Sequence, residues 1–348
     1  MAYRFRGTVM MIGVSATILA ASMTGGEGGA YLRYPSGAAA LGTAGANAAS
    51  PSYLLSWWNP SLLCLLEKRS VAFGGGIRAF GQSDGFGALE FKVPPRVGMG
   101  LFLLYRGDPF LNNLYDENEN SYPSAAYTTF TGKIALSYYI NRRLTAGGSI
   151  AIRYVSMPSG FSDGKIASTS TTGIGSFDFA LTWQQSKKLM LTAQIRDLGA
   201  TMDWNFSSYY YSDFNVPSQD VIPLSLLLGS SYTATLLERS LIWNTDLRCY
   251  FPDNSSKPAR RPQASLSSGC EWQYRDNLSF RLGLGDILFN GDITADSHTY
   301  WNTFSFRLAG GVSYELSKVR KGMRLNYGCS TDKVWAGVDQ QVDITWQF

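Results

Sequence analysis

Gly337-Val-Asp-Gln-Gln-Val-Asp-Ile-Thr-Trp-Gln-Phe348 is the stretch whose reading decides the fold. Val338, Val342, Ile344, Trp346 and Phe348 fall on one parity, and Asp339, Gln341, Asp343, Thr345 and Gln347 on the other. Strand side chains alternate faces, so this segment has one apolar wall and one wall of carboxylates and amides. A strand split in this way can sit between lipid and water, and its length suits a tilted bilayer crossing of about 9–11 residues. The same split also fits the last strand of a soluble sheet, so the remaining chain has to decide.

Working back from that strand, the pattern repeats from Arg69 onward. Segments of alternating apolarity are predicted at 69–81, 86–93, 96–105, 128–140, 144–156, 173–184, 189–198, 222–234, 239–251, 263–275, 278–287, 304–316, 322–331 and 337–348. In 173–184, for example, Phe177, Phe179, Leu181 and Trp183 oppose Asp178, Thr182 and Gln184. That makes about fourteen strands, an even number as single-chain bacterial barrels have. The connections alternate as well. Pro94-Pro95, Asn141 to Arg143, Gln185 to Lys188, Ala234 to Glu238, Asp276-Asn277 and Ser317 to Lys321 are tight, whereas 106–127, 157–172, 199–221, 252–262 and 288–303 are long. A transmembrane antiparallel β-barrel with short periplasmic turns and longer outer loops produces this rhythm, and a secreted sandwich has no reason to. Aromatics at strand ends (Tyr138, Tyr139, Tyr154, Trp183, Trp243, Trp272, Tyr274, Tyr314, Trp346) suit interfacial girdles. Basic turns such as Arg142-Arg143 and Lys187-Lys188 face headgroups or bulk water.

Composition agrees. The chain has 348 residues, 16% of them charged, and after the first segment no apolar run reaches the roughly 18 residues of a spanning helix. Residues 1–24 read as a signal peptide: Arg4 and Arg6, an apolar stretch from Val9 to Leu19, then Ala20, Ala21 and Ser22. Cleavage near Ser22 lowers the formal charge from +4 to about +2, too little for a nucleic-acid partner. No cysteine follows the apolar segment, which argues against a lipid anchor. Cys64, Cys249, Cys270 and Cys329 lack metal-ligand spacing and read as small hydrophobes. A Cys249–Cys270 bridge is the alternative, but hairpin registry places them several residues apart.

Residues 25–68 precede the strands as a linker and plug, and 69–348 form the barrel. A flexible Gly25-Gly26-Glu27-Gly28-Gly29 spacer leads to a small-residue run from Gly37 to Ala48, whose backbone can pack closely inside something narrow. Trp57-Trp58-Asn59-Pro60-Ser61-Leu62-Leu63 then gives a helix start, with Asn59 as N-cap and Pro60 at the first helical position. Ala40-Leu41-Gly42-Thr43-Ala44-Gly45-Ala46 followed by Trp58-Asn59-Pro60-Ser61-Leu62 resembles the N-terminal plug of FadL-type outer-membrane proteins, in particular their PorV/PorQ-like branch. The terminal strand with Val342, Ile344, Trp346 and Phe348 resembles the one by which Gram-negative outer-membrane barrels are recognised for insertion. One departure is Ala49-Ser50-Pro51-Ser52, which stands where that family carries acidic residues.

Little in the sequence suggests bond-making chemistry. The single histidine, His298, lies in a long connection beside Asp296 and Ser297, and adjacency in sequence does not make a triad. Asp116-Glu117-Asn118-Glu119-Asn120 lacks the spacing of a calcium loop. No catalytic residue, metal or cofactor is expected. Inward-facing charges are predicted at Arg153, Asp178, Arg196, Asp246, Arg248, Glu271, Arg281, Arg307, Glu315, Arg324, Asp339 and Asp343, of both signs, as cross-lumen pairing and plug contacts require. The loop with Tyr209, Tyr210, Tyr211 and Phe214 is rich enough in aromatics to recognise a protein or an apolar ligand, or to pack on itself.

The reading is therefore an exported barrel in a bacterial outer membrane, with lipid and the barrel-assembly machinery as partners. The PorV-like resemblance implies a component of type IX secretion that receives secreted proteins and hands them on. The FadL-type resemblance implies instead a hydrophobic small-molecule ligand that binds among the outer loops, passes the plug and leaves through the wall.

Overall fold

The computed structural model describes residues 32, 34–51, 53–78, 81–108, 127–162, 165–207, 215–251, 262–288, 306–331 and 337–348. The expected signal peptide, the Tyr209–Phe214 loop, His298 and the 116–120 acidic run lie outside the described residues.

Among the described residues, apolar–polar alternation builds sixteen strands. The first seven are β1 (Ser70–Ile77), β2 (Ser83–Val93), β3 (Val97–Asp108), β4 (Tyr127–Asn141), β5 (Leu144–Ser162), β6 (Lys165–Gln184) and β7 (Leu189–Leu198). A separate hairpin follows, β8 (Thr201–Ser207) with β9 (Asn215–Val221). The rest are β10 (Leu224–Leu236), β11 (Arg239–Phe251), β12 (Gln263–Arg275), β13 (Leu278–Leu288), β14 (Arg307–Glu315), β15 (Met323–Thr331) and β16 (Val338–Gln347). Apart from the hairpin, fourteen strands form one closed antiparallel barrel, each paired with its neighbours in chain order and β1 closing on β16. At the seam Ser70 opposes Gln347, and Arg69 and Phe348 exchange backbone hydrogen bonds of 3.2 and 3.0 Å. Closure leaves no free sheet edge, the condition for a sheet to stand in hydrocarbon.

Every predicted segment corresponds to a barrel strand. Two connections differ from expectation. The long loop read at 157–172 is instead strand over its described residues, because β5 and β6 stay paired as far as Ser162 and Lys165. The loop read at 199–221 contains the β8–β9 hairpin. The cysteines are unlinked: Cys270 stands opposite Trp243 and Cys249 opposite Ala264.

The faces of the wall are inverted relative to a soluble protein. On β4, Phe130, Ile134, Leu136, Tyr138 and Ile140 are about half exposed, while Thr129, Thr131, Lys133, Ala135 and Ser137 are buried. Leu282, 67% exposed in mid-β13, has no soluble-protein explanation. No helix among the described residues is long and apolar enough to cross a membrane.

The interior is filled by the N-terminal segment. It contains a short helix α1 (Ala38–Gly42), a second, α2 (Leu55–Trp58), and a 3-10 turn at Pro60–Leu65. α1 packs on β13 to β16 and the 3-10 turn on β2 to β6, so the segment crosses the lumen. Small residues on both sides allow this. A side chain at Gly42 would come 3.2 Å from the Gly311 Cα and 3.3 Å from the Gly310 carbonyl oxygen. Gly45 sits at φ +81°, where a side chain is strained.

Candidate functional site

A segment made of one-turn helices cannot satisfy its own first-turn N–H groups, and here the wall supplies the acceptors. Asp343 Oδ2 on β16 accepts from Ala38 N at 2.6 Å. Asp246 Oδ2 on β11 accepts from Asn47 N at 2.8 Å and Ala48 N at 2.9 Å. Glu90 Oε1 on β2 accepts from Ser56 N and Ser56 Oγ, both at 2.7 Å. All three carboxylates are buried, and hydrogen bonds to an ionised acceptor are stronger than neutral ones. They grip the segment near its start, middle and end.

Asn59 is the centre of a neutral network. Its Nδ2 donates to the Ala48 carbonyl at 2.6 Å, to Thr182 Oγ1 at 3.1 Å and to Thr192 Oγ1 at 3.0 Å. Its Oδ1 accepts from Ser61 N at 3.0 Å and Ser61 Oγ at 2.7 Å, the N-cap expected from the Asn-Pro sequence. Trp58 Nε1 donates to the Ser36 carbonyl at 3.1 Å, tying the two ends of the segment together. Cys64 is fully buried, and that burial pushes its thiol up, away from the reactive thiolate.

Where the segment enters, Arg78 pairs with Asp84 at 2.6 Å, and Gln341 Nε2 donates to Asp84 and to the Pro35 carbonyl. Arg106 donates to Ser36 Oγ at 2.9 Å, and the Arg78 guanidinium lies 4.5 Å from the Tyr34 ring centre. Further around, Lys133 pairs with Asp178, Arg153 with Asp197 at 2.5 Å, and Arg281 with Glu271 at 2.8 Å. The signs alternate around the wall, unlike the one-sign ring of an ion-selective pore.

Against this polar lining one sector is apolar. Ala72, Phe86, Ala88, Phe102 and Leu104 point inward from β1 to β3 and pack on Tyr53, Leu54, Trp57 and Trp58. Trp57 stands 4.8 Å from Phe102 between ring centres, with Lys133 Nζ 4.9 Å from the Trp57 ring centroid. Leu32 joins this cluster to a second, Val155, Ala200, Met202 and Ile222 with Tyr127, at the end with the long connections. A third, Leu55, Leu62, Leu63 and Ala135 with Leu65, Leu66 and Met190, lies toward the tight turns. The first two clusters, joined through Leu32, make an apolar track occupied by side chains, and the third is a separate apolar patch. A groove of about 510 Å³ between Phe179, Leu181, Ile195, Leu226 and Leu228 lies on the outer face of the wall and is separate from this track.

Leu41, Gly42, Gly45, Trp58, Asn59 and Pro60 are thus all buried inside the barrel, the first two against β13 to β16 and Pro60 in the turn packed on β2 to β6. Val342, Ile344, Trp346 and Phe348 lie on the outward face of β16 and its end, opposite buried Asp339, Gln341, Asp343 and Thr345. Of the predicted inward charges, Arg153, Asp178, Arg196, Asp246, Arg281, Arg307, Asp339 and Asp343 are buried, and Arg248, Glu271, Glu315 and Arg324 partly so. Missed were Arg78, Asp84, Glu90, Arg106 and Lys133. The inner parity of β2 and β4 would have found Glu90 and Lys133. Among the described residues no group of three or more His, Cys, Asp or Glu is placed to hold a metal ion.

No family model matches the sequence, and no curated protein matches it. Solved structures do match in fold. TbuX, a Ralstonia pickettii toluene transporter, superposes with a TM-score of 0.57 at 16% identity, covering 90% of this chain and 98% of that one. A Pseudomonas aeruginosa FadL homologue gives 0.59 at 12% identity, covering 94% of this chain and 100% of that one. The Pseudomonas putida toluene transporter TodX gives 0.57 at 14% identity, covering 89% and 96% respectively. At these identities the likeness is one of fold, and the chain shares the closed antiparallel barrel of FadL-type proteins.

Proposed function

We propose that this chain is an outer-membrane channel for hydrophobic small molecules, with residues 1–24 as its export signal, 25–68 as linker and plug, and 69–348 as the barrel. The observation that carries the reading is the apolar track through an otherwise polar lumen. A simple ion pore has no use for Phe86, Phe102 and Trp57 packed together inside the wall, whereas an apolar guest gains by burying its surface there. Because the track is filled, a guest advances by displacing side chains of the lumenal segment, Trp57 first, since it covers the Phe86–Phe102 pair. Similar folds in two toluene transporters support this reading over type IX secretion, and PorV/PorQ kinship rests on the plug motifs alone.

The test is deletion and complementation. Cells lacking the chain should accumulate radiolabelled toluene or a similar hydrocarbon more slowly, and wild type but not Phe102→Asp should restore the rate. Unchanged accumulation, with secreted proteins instead retained in the periplasm, would reverse the choice between the two readings.

A further inference from the structure

The tight-turn end carries charge that the lumen does not use. Arg142 and Arg143 are exposed between β4 and β5, Lys187 and Lys188 between β6 and β7, and Lys92 and Arg96 around the β2–β3 turn. Lys318, Arg320 and Lys321 are exposed between β14 and β15, and Lys68 and Arg69 just before β1. Along this arc, five of the seven positions where the chain meets that end, the acids are Glu67, exposed, and Glu315, which is paired with Arg324 at 2.9 Å. The other two turns are balanced: Arg239 pairs with Asp276 at 2.5 Å, and Glu238 accompanies Arg275. In sequence, six of the connections between the other strand ends have the reverse sign: 109–126, 163–164, 208–214, 252–261, 289–305 and 332–336 together hold nine acidic and four basic residues.

These cations sit directly below an aromatic belt. Tyr138 precedes Arg142, Trp183 precedes Lys187, and the Arg320 guanidinium lies 3.9 Å from the Trp346 ring centre. Tyrosine and tryptophan mark the headgroup level of a bilayer, and long basic side chains beside them reach lipid phosphate. The charge is spread along the rim of the barrel and not gathered on one patch, which matches an annulus of headgroups better than the face of a protein.

We propose that this arc is a binding surface for anionic phospholipid headgroups in the leaflet at the tight-turn end, running from the β14–β15 turn through β1 to the β6–β7 turn, with the β10–β13 sector neutral. The proposal rests on the barrel standing in a membrane as argued above. Each basic residue at an anionic surface is worth on the order of fivefold in association, and the effect is screened by salt.

The experiment uses the full chain in vesicles containing brominated phosphatidylglycerol or brominated phosphatidylcholine, with intrinsic tryptophan quenching as readout. Wild type should associate with phosphatidylglycerol about fivefold or more over phosphatidylcholine at low salt, and the preference should vanish near molar salt. A variant with Arg142→Gln, Arg143→Gln, Lys187→Gln and Lys188→Gln should show a clearly smaller preference, with the other basic residues of the arc retaining the rest, and Arg239→Gln with Arg275→Gln should keep it in full. Heat-modifiable gel migration verifies that each variant is folded, and the wild-type salt series decides even where a variant is not. Equal quenching by the two lipids at low salt overturns the proposal, and co-purification of an acidic periplasmic protein alongside equal quenching assigns the arc to that partner. Absence of quenching by either lipid removes the membrane reading itself.

Discussion

Replacing Asn59 by alanine tests how the lumenal segment is held. The substitution removes all five hydrogen bonds of a fully buried side chain, but its partners suffer unequally. Thr182, Thr192 and Ser61 hydroxyls still bond to one another, at 2.7 and 3.0 Å. The Ala48 carbonyl keeps Gln194 Nε2 at 3.3 Å. Only the Ser61 N–H is stranded outright, costing about 1–3 kcal/mol, with about 1 kcal/mol more for the weakened carbonyl and about 1 kcal/mol for the small void. The total is about 4 kcal/mol, enough to raise the population of undocked segment roughly a thousandfold. Cys64 reports this directly, because it is buried within the segment. In a background with Cys249, Cys270 and Cys329 replaced by alanine, its rate of reaction with a water-soluble maleimide should rise by about three orders of magnitude on Asn59→Ala. A rise of less than tenfold, with the barrel still heat-modifiable, would refute the view that this network holds the segment.

Asp246→Ala leaves the Asn47 and Ala48 N–H groups without their acceptor and should loosen the segment by about 2–4 kcal/mol in the same labelling assay. Asp246→Asn keeps an acceptor and should lose about half of that or less; equal effects would argue that charge and not hydrogen bonding does the holding. Gly229→Val places a side chain where its Cβ would lie 2.7 Å from the Ala48 Cβ, so it should cost about 1–3 kcal/mol of docking and speed Cys64 labelling. Val342→Arg, on the outer face of β16, should destabilise the barrel in lipid vesicles by about 2–4 kcal/mol in a folding titration. A change under about 1 kcal/mol there would mean that this face does not meet hydrocarbon.

The barrel was legible in the sequence because the bilayer imposes parity: Phe177, Phe179, Leu181 and Trp183 have to face lipid, so Asp178 and Thr182 face inward. Where that constraint ends, so does the signal. The far part of β6 reads Thr169-Ser170-Thr171-Thr172, polar on both parities, so its sequence reads as loop although it is strand. The apolar track was hidden for the opposite reason. Leu101-Phe102-Leu103-Leu104-Tyr105 is apolar on both parities, so nothing in it says that Phe102 and Leu104 turn inward while Leu103 is 55% exposed outside. The Asn59 cap was readable from Asn-Pro, but its donors to Thr182 and Thr192 join residues more than 120 positions away, which local pattern does not encode.

The most direct test of the central claim is to find where a hydrocarbon goes. A diazirine-bearing monoaromatic probe, photolysed with the full chain in lipid vesicles and mapped by mass spectrometry, should label Trp57, Phe86 and Phe102 inside the wall, competed by excess toluene. Adducts confined to lipid-facing positions such as Phe73 and Leu282, insensitive to toluene, would contradict a lumenal route.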